Sequence, residues 1–352
     1  MKRVILAAVA LVVLAATAPA YAATYSVYAG EQSRHGAPGV ATQNRFMPGV
    51  VYVHVGDSVE FKTPSGHTVS FVGPTLPRQL AFIAPGPAGG PTYSGVNDSA
   101  AAPFYFNGFA KWVYNVGVVA PIGSTTISNH ALHSRAVGRD FGAPSVTFKF
   151  TRAGAYGYRC LFHPGMYGKI VVLPKTTPVR GPAAVTARAD AQTLAGWTTA
   201  RQLIGAHHPA RTIVTGPERN GVTIFAFAPQ TLRVPVGTTV NFVAGSSTEP
   251  HNVGFGPLPW IRSFIGANDL FPTGPTGPNQ VDPVLIYGSD AAPLTHATTS
   301  HGNGFVATPA LDRAPGTPLH RIARVTFTQP GAFAYYCMIH FPFMHGKVIV
   351  TP

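Results

Sequence analysis

The chain has 352 residues, of which 45% are apolar and only 11% charged, and its formal charge is +13. This length accommodates about two domains with sizeable cores, and the low charge argues against a disordered acidic or basic tail. The sequence has no dense Lys/Arg run and no nucleic-acid motif, so its basic balance gives no nucleic-acid partner and fits solubility and loose attachment to anionic envelope surfaces.

At the N-terminus, Lys2 and Arg3 precede an apolar run, Val4 to Ala16, that is too short to span a bilayer as a stable helix. Ala20-Tyr21-Ala22 follows as a small-x-small cleavage site, so residues 1–22 read as a signal peptide and the mature chain begins near Ala23. The expectation is an exported protein, periplasmic or extracellular, with no membrane span in its mature part.

From there the chain repeats itself. "RFMPGVVYVHVGDSVEF" (Arg45 to Phe61) aligns without a gap on "AFAPQTLRVPVGTTVNF" (Ala226 to Phe242). "GHTVSF" from Gly66 matches "PHNVGF" from Pro250, and "VTFKFTRAGAYGYRC" matches "RVTFTQPGAFAYYC". These segments alternate apolar and polar residues at period two, are rich in Val, Phe and Tyr, and are broken by Gly and Pro, which is the signal of short strands between turns. The predicted fold is all-β: two tandem Greek-key β-sandwiches over 24–174 and 211–352. Residues 175–210 read as a Pro-rich linker with a short helix at about Ala187 to Ile204. Long Gly/Pro/Ser/Asn-rich inserts, such as "IAPGPAGGPTYSGVNDS" and "FPTGPTGPNQ", separate the two parts of each motif. Both inserts carry Asn-Gly-Phe (Asn107 to Phe109, Asn303 to Phe305), and the first holds a sequon at Asn97.

The only two cysteines, Cys160 and Cys337, occupy equivalent repeat positions. In an oxidising compartment two cysteines ordinarily pair, but a disulfide here would have to join the two repeats. Parallel metal sites explain the placement better. Each cysteine opens a short Cys/His/Met segment, and each repeat has a histidine on an upstream strand. Two imidazoles and a thiolate with a weak thioether suit copper in a blue, electron-transfer site. Zinc more often takes four strong N/S donors, and calcium or magnesium takes oxygen.

"EPHNVGF", "CLFHPGM" with its Cys-x2-His-x2-Met spacing, and "HFPFMHGKVIV" resemble the cupredoxin family. The resemblance covers the strands flanking both motifs and leaves the inserts unaccounted for. It implies copper, two ions per chain, held by His67, Cys160, His163 and Met166 in the first repeat and by His251, Cys337, His340 and Met344 in the second. The second loop is one residue longer between its histidine and methionine and also offers His345. Thr68 and Asn252, each following a ligand histidine, would brace the ligand loops by hydrogen bonding, whereas His54 reads as structural.

The implied function is single-electron transfer between redox partner proteins, which would dock on apolar residues around His163 and His340. Enzymes built from such units, the copper nitrite reductases and multicopper oxidases, need a second, catalytic copper and commonly place a histidine beside the ligand cysteine. Here Arg159 and Tyr336 precede the cysteines, and His-x-His is absent. His130, His133, His296 and His301 in the inserts are what an unfamiliar catalytic site would use. Copper storage or delivery would call for Met- or His-rich tracts, and the chain has five methionines in all. The two sites, in separate sandwiches, are expected to act independently.

Overall fold

The computed structural model describes residues 22–71, 142–259 and 306–352. Between these it describes only short pieces: 83–88, 92–97, 103–106, 110–114, 126–127, 132–133, 137–138, 261–262, 280–281, 285, 288 and 294–296. Residues 1–21 of the expected signal peptide, Asp98 and Ser99 of the sequon, both Asn-Gly-Phe segments, His130 and His301 lie outside the described residues.

In the first half, the strands are β1 (Thr24–Glu31), β2 (Ala41–Met47), β3 (Val50–His54), β4 (Ser58–Lys62), β5 (Ser70–Phe71), β6 (Ser145–Phe150), β7 (Gly154–Arg159) and β8 (Tyr167–Leu173). One sheet runs β6-β4-β1-β2, and its partner runs β5-β7-β8-β3. Burial alternates along the strands, as in β4, where Val59 and Phe61 are buried between half-buried neighbours. This period-two alternation gives each sheet one apolar face, and the two faces close on each other. The enclosed core contains Val27, Val53, Phe61, Phe71, Phe150, Tyr158 and Ile170.

A helix, α1 (Pro182–Ile204), then leads into the second half: β9 (Thr212–Thr215), β10 (Glu218–Arg219), β11 (Val222–Ile224), β12 (Phe227–Ala228), β13 (Thr231–Pro235), β14 (Thr239–Ala244), β15 (Gly254–Phe255), β16 (Val306–Ala307), β17 (Ile322–Phe327), β18 (Gly331–Tyr336) and β19 (His345–Thr351). Its sheets run β12-β9-β14-β17 and β13-β19-β18-β15-β16. Strand for strand this repeats the first half. β1 lies parallel to β4 and β8 to β3, and likewise β9 to β14 and β19 to β13. A second core gathers Ile213, Phe242, Phe255, Val325, Tyr335 and Val348. Among the described residues the architecture is β-sandwich, with α1 as the one long helix. No described helix is long and apolar enough to cross a membrane.

The helix is longer than its alanine-rich middle suggests, at 23 residues. It opens with Gly181 and Pro182, a proline that costs nothing where the first N–H has no helical partner, and it ends at Gly205. Val185, Ala189, Thr193, Gly196, Trp197 and Ala200 form one buried stripe. The Trp197 indole is completely buried and donates to the Arg34 carbonyl at 2.7 Å. Gly196 lets the helix lie close on the sheet, since a Cβ there would sit 1.9 Å from Gln43 Oε1.

Two further strands join the halves. β11 pairs antiparallel with β2, Val222 opposite Gln43 and Ile224 opposite Ala41, and β10 pairs with β11. The first sheet is thereby extended by strands from the second half, and Trp197 packs over the seam with Ala41, Val222 and Ile224. Further out, Gln280–Val281 pairs with Ala110–Tyr114, which pairs with Ile83–Ala88, so strands from the two inserts also meet.

Tyr158 and Tyr335, each two positions before a cysteine, stand at equivalent core positions edge-on to Phe61 and Phe242, with centroids 5.0 and 5.4 Å apart. Gly168 and Gly346 make room for them, a Cβ at either lying 2.5 Å from the phenol oxygen. Both hydroxyls are buried without a hydrogen-bond partner. An unpaired buried hydroxyl costs about 1–3 kcal/mol of desolvation, so Tyr335→Phe is expected to leave the denaturant midpoint unchanged or to raise it. A loss of more than about 1 kcal/mol would contradict the unpaired reading of this group.

Candidate metal centres

Each half brings a histidine, a cysteine and a second histidine together. His67, Cys160 and His163 form one group and His251, Cys337 and His340 the other, with the potential ligand atoms of each group within 4.8 Å of one another. In the first, Cys160 Sγ lies 3.7 Å from His67 Nδ1 and 3.4 Å from His163 Nδ1. In the second, Cys337 Sγ lies 3.8 Å from His251 Nδ1 and 3.5 Å from His340 Nδ1. The same ring nitrogen turns inward in all four histidines.

The fold fixes these positions through the backbone. His67 exchanges both main-chain hydrogen bonds with Val137, at 2.8 and 2.7 Å, and His251 does so with Leu311, at 2.9 and 2.6 Å. The cysteine loops close on themselves, Cys160 N–H donating to the Met166 carbonyl at 3.0 Å and Cys337 N–H to the Met344 carbonyl at 2.9 Å. The extra residue in the second loop leaves this closure intact. Met166 and Met344 are buried in the same cores as their cysteines. His345 is exposed and faces Gln230.

The bracing expected of Thr68 and Asn252 is present. Thr68 Oγ1 accepts from Leu161 N–H at 2.7 Å, and Asn252 Oδ1 accepts from Met338 N–H at 2.8 Å. Thr68 N–H also points at Cys160 Sγ, at 3.4 Å. His54 is structural, its Nε2 lying 2.9 Å from the Thr177 carbonyl oxygen. Of the insert histidines, His133 and His296 fall in described strands on different sheets.

Two determinants are not evident in the sequence. The first is a glycine against each upstream histidine. Gly30 (φ +77°) and Gly216 (φ +62°) lie so close that a Cβ would sit 2.1 Å from His67 Nε2 and 1.9 Å from His251 Nε2. Their recurrence in "YAGE" and "VTGPE" is a signal, but too short a one to stand out. Beyond this contact the rings differ: His67 Nε2 meets Ser65 Oγ at 3.3 Å, whereas His251 Nε2 is buried without a hydrogen-bond partner.

The second is Glu249, two residues before His251. Its Oε1 lies 3.0 Å from His163 Nε2, and its Oε2 lies 3.7 Å from His340 Nε2. One carboxylate from the second half therefore stands between the outer edges of the histidines of both centres. Asn44 Nδ2 donates to the same Oε1 at 3.0 Å, and Phe225 stacks on His340 with centroids 4.8 Å apart. The side chains of Glu249, His163 and His340 are only 16%, 12% and 15% exposed. The two sets, expected from the sequence to act independently, lie against one carboxylate. The outer edges of both histidines face Glu249.

The electrostatics follow from this chain of groups. Burial alone would raise the thiol pKa of Cys160, but His163 and His67 overcome it and hold the thiol well below its ordinary range. Cys337 is lowered in the same way, His340 and His251 outweighing burial. Burial would deprotonate His163, yet Glu249 and Cys160 raise its pKa, and Cys337 and Glu249 do the same for His340. Against its own burial, Glu249 is held well below the carboxylate range by His163 and His340. His67 is lowered by burial and by His163. A buried thiolate is the form that binds a metal. Thiolate and two imidazoles with a buried thioether in the same loop fit a soft, borderline ion, and copper fits this donor set better than zinc.

No family model matches the chain, and no curated protein matches it. Among solved structures the chain is similar to amicyanin. A methionine-to-alanine mutant in the Cu(I) form shares 20% identity, with 42% of this chain and 87% of that chain covered and a TM-score of 0.22. An oxidised methionine-to-lysine mutant gives the same values. A proline-to-glycine mutant in the reduced Cu(I) form at pH 4 gives 18% identity over the same shares and a TM-score of 0.23.

Proposed function

We propose that the chain is an exported protein with two type 1 copper sites, one in each β-unit (24–174 and 211–352), that passes single electrons between redox partner proteins. The observation carrying this reading is the twofold recurrence of a little-exposed Nδ1–Sγ–Nδ1 set, and the neighbouring histidines lower the pKa of each thiol against its burial. In each set, the residues holding copper would be the two histidines and the cysteine, with Met166 or Met344 as a weak thioether donor. Copper would supply a one-electron couple. The protein's part is rigidity: upstream histidines pinned by main-chain bonds, loops braced by Thr68 and Asn252, and donors shielded from water. A donor set fixed by the fold changes little between oxidation states, which suits fast electron exchange. Export rests on Lys2, Arg3, the Val4 to Ala16 run and the Ala20-Tyr21-Ala22 site.

The copper-loaded, oxidised protein is expected to be intensely coloured toward the red end of the visible, from thiolate-to-copper charge transfer, and to hold two ions per chain. Optical and EPR spectra with a copper count decide it. A colourless protein whose EPR shows only ordinary tetragonal copper would overturn the reading.

A further inference from the structure

In both centres the histidine of the cysteine loop turns its outer nitrogen away from the donor set and toward Glu249, one carboxylate oxygen meeting each ring. A carboxylate is planar and rigid, so a rotation that follows one ring moves the oxygen that faces the other. The two contacts are unequal. The His163 side is at hydrogen-bond distance, and Asn44 holds the same oxygen. The His340 side is a longer contact, at 3.7 Å, and its ring is stacked on Phe225. The group is little exposed, so solvent screening is weak there.

We propose that Glu249 is a positioning residue common to both centres, through which metal binding at one resets the histidine of the other. This rests on the reading of the two sets as copper sites. Metal on His163 Nδ1 fixes that ring; the ring fixes the carboxylate; the carboxylate then presents its second oxygen to His340. By linkage the influence is reciprocal in binding free energy, and couplings of this kind amount to about 5–150-fold in affinity.

The test is NMR of the histidine ring nitrogens in the full chain, with Cu(I), which is diamagnetic, as the probe. In Cys337→Ser the second set lacks its thiolate, and one equivalent of Cu(I) fills the first. The expected result is a shift of the His340 ring resonances along with those of His67 and His163, and loss of the His340 shift in Cys337→Ser/Glu249→Gln. The glutamine amide keeps the size of the group but offers one oxygen, so it cannot accept from both rings. If Glu249→Gln does not fold, Glu249→Asp replaces it, because its shorter arm cannot span both contacts. A response at His67 and His163 without one at His340, or a His340 shift that survives loss of Glu249, overturns the proposal alone. No response at His67 and His163 overturns the copper reading and the proposal together.

Discussion

Cys337→Ser is expected to halve the visible absorption of the oxidised, copper-loaded protein and to lower its copper content from two ions per chain to one, and Cys160→Ser should do the same for the other centre. The thiolate is the donor responsible for the charge-transfer band, so a hydroxyl in its place removes that colour entirely. Losing an outer-shell hydrogen-bond partner costs about 10–100-fold in metal affinity, and losing a donor atom costs more. Each cysteine lies in its own core, and each upstream histidine is pinned by its own main-chain pair. The surviving centre therefore keeps its donors and its colour, while its potential shifts because the shared carboxylate now faces an altered neighbour. Absorption spectroscopy with elemental analysis on both variants reads the result. Loss of both colours in either variant would contradict two separately built centres.

Gly216→Ala is expected to destabilise the protein by about 2–5 kcal/mol and to empty the second centre. Two costs add. An L-residue at φ +62° carries about 1–2 kcal/mol of backbone strain. The new methyl also overlaps the buried His251 ring, its Cβ 1.9 Å from Nε2, and overpacking of that kind costs about 1–3 kcal/mol. Relief by moving the ring takes Nδ1 away from Cys337. Gly237→Ala separates the two terms, because that glycine has φ +81° and a methyl placed there would meet nothing within 4 Å. It should show the backbone cost only and retain the copper. Denaturant midpoints and copper content of the two variants decide the matter, and equal costs in both would rule out a role for the His251 contact.

The strands and the donors are legible because they are written twice. Val-x-Phe alternation, the Val-Gly turns and the His…Cys…His…Met order each recur at matching positions, and the chance of a double coincidence is small. Thr68 and Asn252 can be read because their place beside a ligand is local in sequence. What is not legible depends on contacts between distant segments. Gly216 is required by a ring that arrives from residue 251, and nothing in "VTGPE" says so. Glu249 looks like a surface acid ahead of a strand, and only the assembled molecule brings it to His163, 86 residues earlier in the chain, as it brings Cys337 to His251. The helix outruns its sequence signal because alanine marks only its middle, while its first turns are set by Pro182 and its docking by the small residues Gly196 and Ala200.

The seam between β2 and β11 bears on how such a molecule can be divided. A duplicated β-sandwich gives two self-sufficient modules on a string, each able to be cut away. Here the second half lends β10 and β11 to the first half's sheet, under the lid of Trp197. A fragment ending before Thr212 would leave the main-chain groups of Ala41, Thr42 and Gln43 as an open strand edge beside an uncovered apolar stripe, the kind of surface that recruits a second copy of itself. Each half keeps its own histidines and cysteine, but beyond β2 the first half's sheet is bordered by strands from the second.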